Sequence, residues 1–179
     1  GMGWDGVAQE KSSDHEAGHA VVALVLGIKP PYATIAGRAN YGGYVCYSEE
    51  DKRLFTREEC RNRMCIALAG RAADVLIYGD GGITTGASSD LRSATEMALD
   101  MVCRHGMDSS LVYMEAEKGR APKEIRERAA ARRNEQYARA ERLLTENGEK
   151  RKGLDEASWE EETMPGEGRG RAIGRRWWA

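Results

Sequence analysis

Two histidines four residues apart, His15 and His19, with Glu16 beside the first, open a stretch that is almost wholly apolar from residue 17 to residue 26. Positions i and i+4 share a face in an α-helix, so the pair predicts a helix, over about residues 14–26. A helix that is apolar nearly all round has no solvent side and belongs in a core. Rings placed there need partners, because an unpaired polar group in a core is costly. His15-Glu16-Ala17-Gly18-His19 is the H-E-x-x-H pattern, in which both imidazoles reach one zinc ion. Glu16 then sits beside the ion's open position and takes a proton from the attacking water. A purely structural zinc site is usually closed by four protein ligands, often cysteines. None of the four cysteines here (Cys46, Cys60, Cys65 and Cys103) is near this segment in sequence.

The remaining chain, 179 residues in all, is long enough for one domain with a tail. Lys and Arg number 27 against 29 Asp and Glu, so no overall positive field argues for a nucleic-acid partner. The longest apolar run, residues 20–26, is far short of the ~20 residues of a membrane helix. The expectation is a soluble, cytoplasmic chain whose cysteines are small hydrophobes in a reducing compartment. Gly1 ahead of Met2 reads as the remnant of a cleaved tag.

Residues 1–11 carry no apolar rhythm and read as a leader, with Ser12, Ser13 and Asp14 as N-cap types for the first helix. Gly27 and Pro30-Pro31 stop that helix. Residues 32–35 and 44–47 are short β-type runs joined by a glycine-containing loop, a hairpin pattern. Thr56 and Glu59 form a capping box for a second helix reaching about Tyr78. A third helix starts near Ser88-Ser89 and ends before Gly106. A fourth, charged and thinly apolar (Ile125, Ala129, Ala140, Leu143), covers about residues 123–146. Residues 148–179 are rich in Gly, Arg and Glu and end in Trp177-Trp178-Ala179, reading as a loosely ordered tail. The fold class is therefore mainly α with a small β element.

A zinc site of this kind needs a third protein ligand. A His six residues after His19 would extend the motif, but that residue is Val25. His105, the remaining histidine, stands where a helix ends and suits a capping role. On a helical wheel of the third helix, Leu91, Ala94, Met97, Ala98, Met101 and Val102 form one stripe. Asp90 lies inside the edge of that stripe, whereas Glu96 and Asp100 face away. A carboxylate on a buried face needs a partner, and a metal is one; an Asp in a first helical turn is also favoured by the helix dipole alone. Glu49, Glu50, Glu58 and Glu59 stay open as alternatives on this reading.

Three segments resemble the peptidase domain of the FtsH family of ATP-dependent zinc metalloproteases. They are His-Glu-Ala-Gly-His-Ala-Val-Val-Ala at 15–23, Leu-Ala-Gly-Arg-Ala-Ala-Asp at 68–74 and Thr-Thr-Gly-Ala-Ser-Ser-Asp-Leu at 84–91. Gly43-Tyr44-Val45 is similar to a further short segment of that family. The resemblance implies Asp90 as the third zinc ligand after His15 and His19, and a mostly helical peptidase domain over 12–147. It implies a metalloendopeptidase acting on unfolded or extended polypeptide, with Glu16 as general base. Gly42 and Gly43 leave room for a substrate backbone to pair with a strand edge at Gly43, Tyr44 and Val45. Unlike its relatives, the sequence has no G-x-x-x-x-G-K-[ST] and no membrane span. An ATPase acting in trans and a homo-oligomer are the partners this leaves open. The rival reading is a catalytically silent, FtsH-like binding or regulatory module.

Overall fold

The computed structural model describes residues 4–28, 54–115 and 120–149. Among these, four α-helices carry the architecture: α1 (Trp4–Val25), α2 (Arg57–Tyr78), α3 (Ser88–Cys103) and α4 (Lys123–Glu146). Single 3-10 turns at Asp80–Gly82 and Thr85–Ala87 link α2 to α3. The mainly α class expected from the sequence is observed. The hairpin at 32–35 and 44–47 lies outside the described residues, as does nearly all of the 148–179 tail.

The second, third and fourth helices begin and end close to where the sequence predicts. Thr56 caps α2, its hydroxyl accepting from the Glu59 N–H at 3.1 Å, which supplies one of the bonds the first helical turn lacks. At the end of α1, Gly27 takes φ +82°, and the Ile28 N–H donates to the Ala23 carbonyl at 2.8 Å. That left-handed residue lets the last carbonyls of the helix find donors. The start of α1 differs from expectation: the helix begins at Trp4, ten residues before Asp14, so most of the expected leader is helical. Ala8, Gln9, Glu10 and Lys11 are strong helix formers and extend a helix already nucleated by its buried part. Ser13 and Asp14 are accordingly interior residues of α1, both buried, not caps.

Two helices, α2 and α4, each pack against the other three, α2 the more extensively. On one flank Cys65, Ile66, Ala69, Ala72 and Ala73 meet Ala17, Ala20, Val21 and Val22 of α1. On the other, Met64, Ala67 and Leu68 meet Ala94, Ala98, Met101 and Val102 of α3. α4 lies along both clusters, with Ile125 and Ala129 in the second and Ala140 and Leu144 in the first. Its deeply buried leucine is Leu144, and the expected Leu143 is only partly covered.

So thin an apolar stripe is supplemented by arginines. Arg139 donates to Asn62 of α2 at 2.9 Å, and Arg133 donates to Thr95 of α3 at 3.0 Å. Arg128 and Arg132 hold the buried Asp108 carboxylate at 2.7 and 3.6 Å, fastening the segment after α3. The Arg139–Asn62 and Arg133–Thr95 contacts are charge-assisted hydrogen bonds, the stronger class, and the Asp108 contacts are ion pairs.

Small side chains set how closely α1 approaches α2. A Cβ at Gly18 would stand 2.6 Å from the Ala73 Cβ and 2.7 Å from the Ala69 carbonyl oxygen. The obstacle is backbone and a methyl with no rotamer to yield, so the helices would have to part. Gly18→Ala is therefore expected to destabilise the fold by about 1–3 kcal/mol, the usual cost of overpacking. For a chain this size that is a fall of roughly 2–4 °C in Tm per kcal/mol. Gly81→Ala, where an added Cβ meets nothing within 4 Å, is the control for thermal unfolding. Equal melting of the two variants would show that the α1–α2 contact is not tight.

Candidate metal centre

His15 and His19 project from one face of α1 toward the first turn of α3, where Asp90 sits with 1% of its surface exposed. The Nε2 atoms of the two histidines are 3.1 Å apart. The Asp90 Oδ2 atom is 2.7 Å from the His15 Nε2 and 3.2 Å from the His19 Nε2. Among the described residues this is the one group of three such side chains with donor atoms close enough to share an ion.

The outer nitrogens are held from behind. The Nδ1 of His19 donates to the Ile66 carbonyl at 2.6 Å, and the Nδ1 of His15 lies 2.8 Å from the Asp74 Oδ2. A proton kept on Nδ1 leaves the Nε2 lone pair of each ring facing the other donors, the tautomer a metal requires. Both anchors come from α2, so its packing against α1 fixes ring orientation as well as helix position. Gly70 completes the arrangement. A Cβ there would lie 2.4 Å from the His15 Nε2 and 2.5 Å from the His19 Nε2, so only glycine leaves room for the rings to converge.

The donor set fits a small divalent cation on three counts. Tetrahedral ligand atoms about 2.0–2.1 Å from zinc stand roughly 3.3 Å from one another, close to the separations seen here. Two imidazoles with one carboxylate, the fourth direction open, is the donor chemistry of a catalytic zinc site. The second Asp90 oxygen, Oδ1, is buried and meets no hydrogen-bond donor among the described residues. A carboxylate so placed is costly unless positive charge faces it.

The electrostatics agree. Burial pushes the His15 imidazole down, but the hydrogen bonds to Asp74 and Asp90 outweigh it and raise its pKa from 6.5 to about 9. Burial pushes the Asp90 carboxyl up, and its bonds to His15 and His19 more than reverse this, leaving it below its ordinary value. With no metal bound, then, a proton on His15 balances part of the two aspartates' charge.

The wheel and the resemblance had singled out Asp90, and the fold brings it to both histidines. Glu16, next to His15 on α1, is half-buried. Of the alternative carboxylates, Glu58 is at the start of α2, 3.8 Å from Arg139. Glu59 is in that same first turn, two helical turns before Ile66. Glu49 and Glu50 lie outside the described residues, as do Gly43, Tyr44 and Val45. His105 is exposed just beyond α3, about 20 Å along that helix from Asp90. Sequence reasoning gave Asp74 no role. The available signal was a carboxylate in line with Ala67 and Gly70 at i, i+3 and i+7, a charge on an otherwise small and apolar face.

A sequence profile of peptidase family M41 matches residues 7–169 of the chain. Among curated proteins the chain is similar to the ATP-dependent zinc metalloprotease FtsH of Synechococcus sp. It is 37% identical over 175 residues, covering 86% of this chain and 27% of that protein. FtsH of Parabacteroides distasonis is 33% identical over 181 residues, covering 93% of this chain and 26% of that protein. FtsH 1 of Thermoanaerobacter sp. is 37% identical over 174 residues, covering 86% and 28%. The chain thus spans about a quarter of the length of the curated relatives it matches.

Because the His15 proton persists up to about pH 9 without metal, adding Zn2+ at pH 7 is expected to release protons as the Nε2 donor is vacated. Titration calorimetry in buffers of different ionisation heat counts them, and a count of zero would remove His15 from the donor set. The same raised pKa stabilises the metal-free fold: the contribution is complete below pH 6.5 and is lost as pH rises through about 9.

Proposed function

The chain belongs to peptidase family M41, and from that premise we propose that it is a zinc-dependent metalloendopeptidase domain cutting unfolded or extended polypeptide. The observation that carries the proposal is the convergence of His15, His19 and Asp90 within 3.2 Å of one another, with Asp74 and the Ile66 carbonyl orienting the rings. The curated relatives are named zinc metalloproteases, which supports zinc as the ion.

In this reading His15 and His19 bind zinc through Nε2 and Asp90 through a carboxylate oxygen. Bound zinc supplies Lewis acidity, polarising the scissile carbonyl and acidifying water. Glu16 is the general base: its carboxylate takes the proton of the attacking water and returns it to the leaving amine. The Asp74 carboxylate keeps the His15 ring proton on Nδ1 and so keeps Nε2 available. Gly43, Tyr44 and Val45 are the proposed substrate strand, whose backbone pairs with the bound peptide. The catalytic unit is the body formed by the four helices. The relatives' names attach ATP dependence to the whole proteins. The corresponding proposal is that an ATPase unit, elsewhere in a longer protein or in trans, unfolds substrates that this domain then cuts. Folded domains sit ~5–15 kcal/mol below their unfolded states, so force on the substrate has a clear use. Among the described residues no helix is long and apolar enough to cross a membrane.

Glu16→Gln is expected to keep zinc while slowing hydrolysis of an unstructured substrate such as casein by ~10²–10⁴-fold, the range of a lost general base. Asp90→Ala is expected to lose the ion itself. A Glu16→Gln protein that cleaves at the parent rate would end the assignment of Glu16, and full zinc occupancy in Asp90→Ala would end that of Asp90. A parent that binds zinc and cleaves nothing would favour a silent binding module.

Val45→Pro removes a backbone donor from the proposed substrate strand. Peptide turnover should fall while zinc content stays at the parent level. Unchanged kinetics in a folded Val45→Pro protein would place substrate elsewhere.

A further inference from the structure

One residue before His15, Asp14 is buried within α1 and accepts a hydrogen bond from the Tyr78 hydroxyl at the end of α2. Tyr78 is one helical turn beyond Asp74, so the two α2 residues share a face. The two helices are therefore joined by adjacent rungs, Asp14 to Tyr78 and His15 to Asp74. Tyr78 is itself confined: a Cβ at Gly82 would stand 2.1 Å from the Tyr78 Cβ, so the turn after α2 closes directly over this side chain.

We propose that Asp14 and Tyr78 are a positioning pair for the metal centre, fixing the roll of α1 so that His15 and His19 meet Asp90. The inference rests on the zinc reading above. The glycine contacts at Gly18 and Gly70 set how near α1 lies to α2. Contacts between small, apolar surfaces define distance well and rotation about the helix axis poorly. The His15–Asp74 and His19–Ile66 bonds hold the rings themselves, and a directional bond between a phenol and a carboxylate, one residue before His15, adds a rotational constraint on the helix that bears them. A few degrees of roll would carry both Nε2 atoms away from Asp90, since both rings stand on the same helix.

The test uses the full chain, with zinc affinity measured by competition against a chromophoric chelator and Tm recorded separately on metal-free protein. Tyr78→Phe keeps ring and packing but removes the donor, and Asp14→Ala removes the acceptor. Each is expected to weaken zinc binding about tenfold, at the low end of what loss of a supporting contact costs a metal site. Because both lesions break one bond, the double variant should bind no worse than either single. Asp14→Asn retains an acceptor oxygen without the charge and should bind zinc as the parent does. The Co2+-substituted forms of Tyr78→Phe and Asp14→Ala should also show altered ligand-field absorption. Parent-like affinity in Tyr78→Phe, additive losses in the double variant, or a loss in Asp14→Asn equal to that in Asp14→Ala would each overturn the proposal. The first would leave the bond merely structural, and the last would make Asp14 an electrostatic contributor. A parent chain that binds no zinc would overturn the zinc reading as well, a result separable from all of these.

Discussion

Where α1 crosses α2, two glycines stand in for side chains, and the geometry of the centre follows from that closeness. Gly18 lets the backbone of α1 rest on Ala69 and Ala73, and Gly70 leaves the space in which the two imidazoles meet. With bulkier residues the Ile66 carbonyl and the Asp74 carboxylate would recede from the ring nitrogens they now hold at 2.6 and 2.8 Å. The interface is thus apolar and tight for most of its length and polar at one end. The tight part makes the polar part accurate, since buried hydrogen bonds tolerate little error in distance or angle.

The polar end also solves an electrostatic problem. Asp74 and Asp90 are both buried, and two carboxylates in a core are expensive without compensating charge. His15 lies between them and bonds to both. In the proposed zinc reading, proton and metal are alternative ways of supplying the positive charge this pair requires. That competition is built into the fold by the placement of one ring between two acids.

Much of this was legible in the chain itself. The N-cap at Thr56, the stop at Gly27 and the wheel that turns Asp90 inward are local signals, and each has its counterpart in the structure. Local signals fail where the deciding contact is distant. Asp14 has the residue type of a cap, yet a tyrosine 64 positions away takes its carboxylate. Residues 8–11 need no apolar rhythm, because good helix formers continue a helix whose anchor is elsewhere. Asp74 could be seen as a charge on a small-residue face, but only the fold supplies His15 as its reason. Leu143 of the expected stripe is only partly covered, and its neighbour Leu144, about 100° further round the helix, is the deeper of the two.

The sequence distances spanned by the centre have a consequence of their own. His15 and Asp90 are 75 residues apart, and His15 and Asp74 are 59 apart, yet every contact between them is made by helices braced on α2. Among the described residues the donor geometry is set by helix packing, and chain connection enters through closure entropy. Doubling a flexible connection costs only about 0.6 kcal/mol in closure entropy. Among the described residues, packing across the fold holds together a chemical apparatus whose members lie far apart in sequence.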